Sequence, residues 1–243
     1  APDVVIDVGE PKGSIVEDMD ALQEQTGIPF VHIDAYLASM DDTYALLSDL
    51  LAMPNEGQGL ADYCRAAYDR VKEIAGKVDK VDMLYVTGEE GLNVIAKGSY
   101  HAEVIDLLCN NLAVVDEPSS KGTGNEVDME QILNWNPSVV AFAPGSIYAT
   151  VGSNESWKTI PAIKDGKYYE VPMGPYNWMG FPPSVQRILG MQWMAKVLYP
   201  EAADYDMFET TQTYFTLFYH WDLTADQYNA LVANSLPAVE MAA

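Results

Sequence analysis

The chain has 243 residues, enough for one large domain or two lobes around a cleft, and its 49% hydrophobic content is ordinary for a protein with a real core. Its 36 acidic residues against 13 basic give a net charge of −23, and it has no Lys/Arg run, which excludes nucleic-acid binding by phosphate neutralisation. A solvated acidic surface that keeps a secreted or surface protein soluble accounts for that charge, with a specific cation partner as the alternative.

Val4 to Val8 is a short apolar strand ending at Gly9-Glu10. It opens the chain with no preceding turn, and no signal peptide is visible, so the N-terminus reads as a cut with targeting information lost. Ile15 to Gln25 reads as an acidic amphipathic helix stopped by Gly27 and Pro29, and Phe30 to Ile33 as a second strand. This β-α-β pattern predicts a parallel sheet. Asp41 to Met53 is a predicted helix closed by Pro54-Asn55-Glu56-Gly57. The longest predicted helix follows, with apolar residues at Leu60, Tyr63, Cys64, Ala67, Val71, Ile74 and Val78 on one face. A helix of that length can act as a stiff strut between two halves.

The second half starts with a strand, Met83 to Gly88, then strands at Leu92–Ala96 and Ala113–Val115 around a helix at Ala102–Cys109. Pro118 to Asn125 is a polar Gly/Ser-rich loop. Asp128 to Leu133 is a short helix whose acidic start suits the helix dipole. Val139 to Ala143 is a strand running into Pro144-Gly145-Ser146. Asp165-Gly166 turns the chain into a strand at Lys167–Val171. Val185 to Leu198 is helical, Ser184 can cap it, helices continue to about Asn234, and the tail Leu236 to Ala243 looks frayed. No run of about eighteen apolar residues exists, so no membrane-spanning helix is expected.

Enzyme motifs for nucleotide, phosphate, zinc-protease or serine-hydrolase chemistry are absent, and no cofactor is expected. Gly122-Thr123-Gly124 lacks a third glycine and a strand-to-helix context. Three histidines, His32, His101 and His220, fall in separate segments, whereas a bare-metal site of imidazoles needs convergence. His101 stands out because Gly98-Ser99-Tyr100-His101 is a loop after a strand. Cys64 and Cys109 each lie in apolar helical text and read as buried side chains, with a mutual disulfide possible.

The informative stretch is Pro172 to Ser184, where Tyr176, Trp178, Phe181, Met173 and Met179 share a loop stiffened by four prolines. Such side chains either plug a hydrophobic gap or form a stacking wall for a flat organic ligand.

This stretch completes a family pattern. Met129-Glu130-Gln131-Ile132-Leu133-Asn134-Trp135-Asn136-Pro137-Ser138-Val139-Val140 is followed by Trp157, by Ile160-Pro161-Ala162-Ile163-Lys164-Asp165-Gly166-Lys167-Tyr168-Tyr169, and by Val171-Pro172. Asn177-Trp178, Pro182-Pro183-Ser184, Arg187, Leu189-Gly190, Trp193 and Leu198-Tyr199-Pro200-Glu201 complete it, and Ala1 to Ile6 echoes the Pro-Asp strand of a first lobe. Over most of its length the chain resembles the helical-backbone (cluster A, class III) substrate-binding proteins of ABC importers, which serve siderophores, haem, cobalamin and some metal ions or oxyanions.

The resemblance implies an α/β fold with two lobes of parallel-rich sheet, joined by one long helix, with the ligand cleft between lobes. The expected bounds are 1–56 for the remainder of an N-terminal lobe, 57–79 for the helix, 80–183 for the C-terminal lobe and 184–243 for helices returning to the first lobe. It implies an extracytoplasmic protein, periplasmic or lipid-anchored at the cell surface, that is a monomer when full length. Its partners are a metal-chelate small molecule and a membrane ABC permease, met through acidic residues on each lobe. Expected ligand contacts are Tyr100 and His101, Ser146 and Tyr148, and Tyr176, Trp178, Met179 and Phe181, with Glu10 from the first lobe. Many relatives carry Arg three residues after the loop Trp. Phe181 occupies that position here, which shifts the expected ligand from a small oxyanion towards an aromatic or macrocyclic chelate. A bare-metal or oxyanion binder, and a non-transport sensor or adhesion domain, are the alternatives.

Overall fold

The computed structural model describes residues 2–239, and residues 240–243 of the expected frayed tail lie outside them. The chain divides into two compact units, with the division between Ala66 and Ala67. It falls inside the longest helix, and every element after that helix belongs to the second unit, whereas the expected bounds set the helix and residues 184–243 apart.

The first unit holds β1 (Val5–Gly9), α1 (Ile15–Thr26), β2 (Phe30–Asp34), α2 (Met40–Leu51) and the start of α3 (Pro54–Ala75). β1 and β2 pair in parallel, from Val5 opposite Phe30 to Gly9 opposite Asp34, as a β-α-β crossover requires. Gly27, in the left-handed region at φ 69°, ends α1. α2 and α3 approach closely because Gly57 has no side chain: a Cβ there would overlap Ser48. Asp41, buried on α2, is ion-paired with Arg65 on α3.

The second unit is built on a six-stranded sheet. β3 (Asp82–Thr87) is central, with β7 (Val139–Phe142) parallel on one side and β8 (Tyr168–Glu170) parallel beyond it. On the other side β3 pairs with β5 (Asn110–Asn111) in parallel and with β4 (Asn93–Val94) antiparallel, and β6 (Asn125–Glu126) lies beyond β4. β7 is buried at all four residues, the continuous apolar run typical of a parallel strand covered on both faces. Leu84, Val86, Val140 and Phe142 pack with Trp157, Ile160 and Ile163 to form the core, and the Phe142 and Trp157 ring centroids lie 5.3 Å apart.

The helices of this unit are α4 (Glu103–Leu108), α5 (Met129–Trp135), α6 (Pro161–Lys164), α7 (Gln186–Leu198), α8 (Met207–Tyr219) and α9 (Ala225–Val232). Asp128 caps α5 by accepting from the Gln131 amide at 2.7 Å. α7 is buried from Gln186 to Ala195, with Gln186, Arg187 and Gln192 as polar members of an otherwise apolar stretch, and it packs on α4 and α8. The expected strand at Ala113–Val115 is not formed. Its place is taken by Asn110–Asn111, because the Asn111 side chain accepts from the Ala113 amide at 3.1 Å and turns the chain off the ladder, leaving Val114 exposed.

Cys64 and Cys109 are free and buried, so the possible disulfide is not formed. Burial pushes both thiols up to about 12, and Cys109 Sγ rests 3.3 Å from Met83 Sδ. Among the described residues no helix is long and apolar enough to cross a membrane.

Candidate functional site

An α/β sheet offers ligand groups where its strands end at their carboxyl edge. In the second unit those ends release three loops: Gly88 to Gly91 after β3, residues 143–149 after β7, and residues 171–183 after β8. The Gly/Ser-rich loop 118–124 joins them, because Thr87 Oγ1 at the end of β3 donates to the Thr123 carbonyl at 2.6 Å.

The loop after β8 is held from beneath by its own polar residue. Asn177 is buried. Its Oδ1 accepts from the Met179 amide at 2.7 Å and the Gly180 amide at 3.2 Å, and its Nδ2 donates to the Tyr85 hydroxyl on β3 at 3.1 Å. Burial raises the Tyr85 pKa, which keeps that hydroxyl neutral. Trp178 is 0% exposed and donates from Nε1 to the Gly174 carbonyl at 3.0 Å, and Met179 is equally buried. The Trp178 carbonyl sits where a Cβ on Gly190 of α7 would be, so loop and helix meet backbone to backbone. Trp178 and Met179 thus anchor the loop from inside. Three other side chains of the same loop face out: Met173 at 55%, Tyr176 at 47% and Phe181 at 55% exposure.

The remaining expected contacts are placed as follows. Tyr100 is buried under the guanidinium of Arg187, 4.4 Å from its ring centroid, and its hydroxyl accepts from Arg187 Nη2 at 2.9 Å. Arg187, itself buried, is ion-paired with Glu103. His101 is buried, with Nδ1 2.6 Å from the Gly180 carbonyl oxygen and Nε2 3.1 Å from that of Ser120. Ser146 begins a 3-10 turn, Ile147–Ser153, and its buried hydroxyl has no partner among the described residues. Tyr148 is half-buried beside Tyr168, ring centroids 5.7 Å apart, and burial raises its pKa. Glu10 belongs to the first unit, just beyond β1, where its carbonyl accepts from the Lys12 amide at 2.9 Å.

The structure therefore brings Tyr100, His101 and the 171–183 loop together around α7 and loop 118–124. It also adds residues to which the sequence assigned no part in the site. Gly122 lies under Phe181, whose ring fills the space of the missing side chain. A recess of about 660 Å³ beside Met173 and Pro175 is lined further by Phe215, Tyr219, Trp221 and Leu231. A glycine in a polar loop and an exposed Trp after α8 were the only sequence signals for these. Of the other histidines, His32 lies 2.7 Å from Asp7 and 3.3 Å from Asp34, and His220 is the left-handed cap of α8. Among the described residues no group of three or more His, Cys, Asp or Glu could hold a metal ion.

The comparisons with known proteins agree with this architecture. The molybdate-binding protein MolA of Haemophilus influenzae is 30% identical over 104 residues, 42% of this chain and 29% of that protein. The vitamin B12-binding protein of Vibrio campbellii is 26% identical over 185 residues, 75% of this chain and 64% of that protein. The chain therefore spans less than two thirds of either relative. Among solved structures, an ABC transporter solute binding protein from Sulfurospirillum deleyianum superposes with a TM-score of 0.87 at 25% identity, covering 96% of this chain and 73% of that one. A family model described as periplasmic binding protein matches residues 1–173. On this match the chain belongs to the periplasmic binding protein family.

Proposed function

We propose that the chain is the ligand-capturing component of an ABC importer, works outside the cytoplasm, delivers its ligand to a membrane permease and performs no catalysis. Its ligand is a metal chelate with apolar or aromatic bulk, of the ferric siderophore, haem or cobalamin kind. One observation carries this reading. Two aromatic faces and a thioether, Tyr176, Phe181 and Met173, are presented on a loop that Asn177, Trp178 and His101 hold rigid at the carboxyl edge of a parallel sheet. Aromatic side chains left exposed on a fixed backbone lose little entropy on binding and offer large contact area. The recess beside Met173 lies within the volume range of small-molecule sites. The named ligand of the Vibrio campbellii relative, vitamin B12, is a chelate of this class.

The second reading is a small oxyanion, favoured by the molybdate-binding relative. Two features weigh against it. The guanidinium nearest the loop, Arg187, is already engaged by Glu103 and Tyr100. A net charge of −23 also repels an incoming free anion. A neutral or cationic chelate, such as a cobalamin or a ferric hydroxamate, meets neither obstacle, whereas the two carboxylates of haem meet the second.

Quenching of intrinsic tryptophan fluorescence by haemin, cyanocobalamin, ferric siderophores, molybdate and Zn²⁺ tests the reading. Saturable quenching by one chelate, weakened in a Tyr176→Ala/Phe181→Ala variant, is expected. Tight binding of Zn²⁺ or molybdate with no response to any chelate contradicts it.

A further inference from the structure

We infer that His101 is the positioning residue of the site: as an imidazolium it clasps the aromatic loop to the Gly/Ser-rich loop, and losing that proton lets the two loops part. The inference rests on the binding reading above only for its consequence, not for the clasp itself.

The geometry around the ring is unusual. Nδ1 lies 2.6 Å from the Gly180 carbonyl oxygen and Nε2 lies 3.1 Å from the Ser120 carbonyl oxygen. Both neighbours are acceptors only. A neutral imidazole has one N–H and one lone pair, so it can donate to one of these oxygens and must turn a lone pair towards the other. Only the doubly protonated ring satisfies both, and exchanging the two nitrogens leaves the count unchanged. Hydrogen bonds from a charged donor are also the stronger kind.

The two carbonyls belong to the two loops that frame Phe181. Gly180 immediately precedes Phe181, and Ser120 lies two residues before Gly122, on which the Phe181 ring rests. The clasp and the ring contact therefore span the same gap. Losing one of the His101 bonds loosens the surface that Phe181 presents, without removing any ligand contact.

The charged groups around the ring come from three directions. On its own turn and α4 these are Glu103 and Asp106. Glu103 is committed to Arg187, and Asp106 accepts from the Gly98 amide at 2.7 Å and the Asn111 side chain at 3.0 Å. From α7 comes Arg187, whose Cδ would lie 3.7 Å from a Cβ on Gly180. The Gly/Ser-rich loop carries Lys121, and Asp116 and Glu117 immediately precede it. The aromatic loop itself, from Pro172 to Ser184, has no charged residue. The protonated ring thus has two carbonyl dipoles as its direct partners.

Hydrogen–deuterium exchange of the ligand-free protein tests this without knowing the ligand. Protection of residues 116–124 and 172–183, corrected for intrinsic exchange rates, is followed from about pH 5.5 to about pH 8.5, the span in which imidazole side chains titrate. The wild type is expected to lose protection in both segments together, by about tenfold, as pH rises. His101→Phe, which keeps a ring but no donor, is expected to show the low protection at every pH. His101→Gln, whose amide donates without titrating, is expected to restore part of it with no pH profile, and it serves also if His101→Phe folds poorly. Wild-type protection that is flat with pH, or a His101→Gln profile that follows the wild type, overturns the clasp. If cyanocobalamin, haemin and a ferric hydroxamate all fail to bind while the exchange behaves as expected, the binding reading fails and the clasp stands. If one of them binds and the exchange is flat, the reverse holds.

Discussion

The ring of Phe181 occupies the space that a side chain on Gly122 would need. One loop thereby serves as the platform for the most exposed aromatic residue of the other. Gly122→Ala is expected to push the ring aside and weaken chelate binding by about tenfold, while global stability changes by no more than about 0.5 kcal/mol, as for a substitution in a surface loop. Calorimetric titration and thermal melting of the same preparation measure the two effects separately. An unchanged affinity contradicts the platform role.

Asn177 holds three polar groups at once: the Tyr85 hydroxyl and the amides of Met179 and Gly180. Asn177→Ala leaves all three without that partner in the interior. A loss of about 3 kcal/mol is expected, given about 1–3 kcal/mol for each buried group left unpaired and some recovery by water. Urea denaturation checks it. A loss below about 1 kcal/mol means that the loop is fastened elsewhere.

Gly190 lies in the middle of α7, where helix propensity alone favours Ala by about 1 kcal/mol. The Trp178 carbonyl stands where that methyl would go. Overpacking against backbone costs about 1–3 kcal/mol or more, so Gly190→Ala is expected to destabilise, against its propensity. A raised melting temperature contradicts the close contact between loop and helix.

Cys64 and Cys109 are buried thiols raised from 9.0 to about 12. Both are expected to resist a thiol reagent at pH 8 in the native protein and to react fully in denaturant. The sign of the pH effect follows from the direction of the shift. Below pH 9 folded and unfolded thiols are both protonated and the stabilisation is fully present; between about 9 and 12 the unfolded thiols ionise first, so stability falls as pH rises. Rapid native labelling of either thiol contradicts its burial.

The fold was legible in the sequence wherever period and punctuation agree. The β1-α1-β2 unit, α3, β3, β7 and α7 fall within a few residues of their expected positions, because apolar runs and Gly/Pro stops mark them directly. Ala113–Val115 misled because β-branched residues signal a strand, while a side-chain acceptor two residues earlier decides where the ladder ends. At the site, the aromatic loop was visible as composition, but not which of its rings face outward. Trp178 looks like the better stacking face and is buried, since its N–H finds the Gly174 carbonyl; Phe181 is exposed because Gly122 gives it a seat. Such a pairing joins residues about sixty positions apart and leaves no local pattern in either segment.

The most direct test of chelate capture is isothermal titration of the purified protein with cyanocobalamin, haemin and ferric siderophores, beside molybdate and Zn²⁺, repeated on Tyr176→Ala/Phe181→Ala. One chelate is expected to bind with a dissociation constant at or below about 1 μM, and the double variant to lose at least about tenfold in affinity while melting like the wild type. Binding of molybdate or Zn²⁺ alone, or a chelate affinity indifferent to both aromatic residues, would contradict the account.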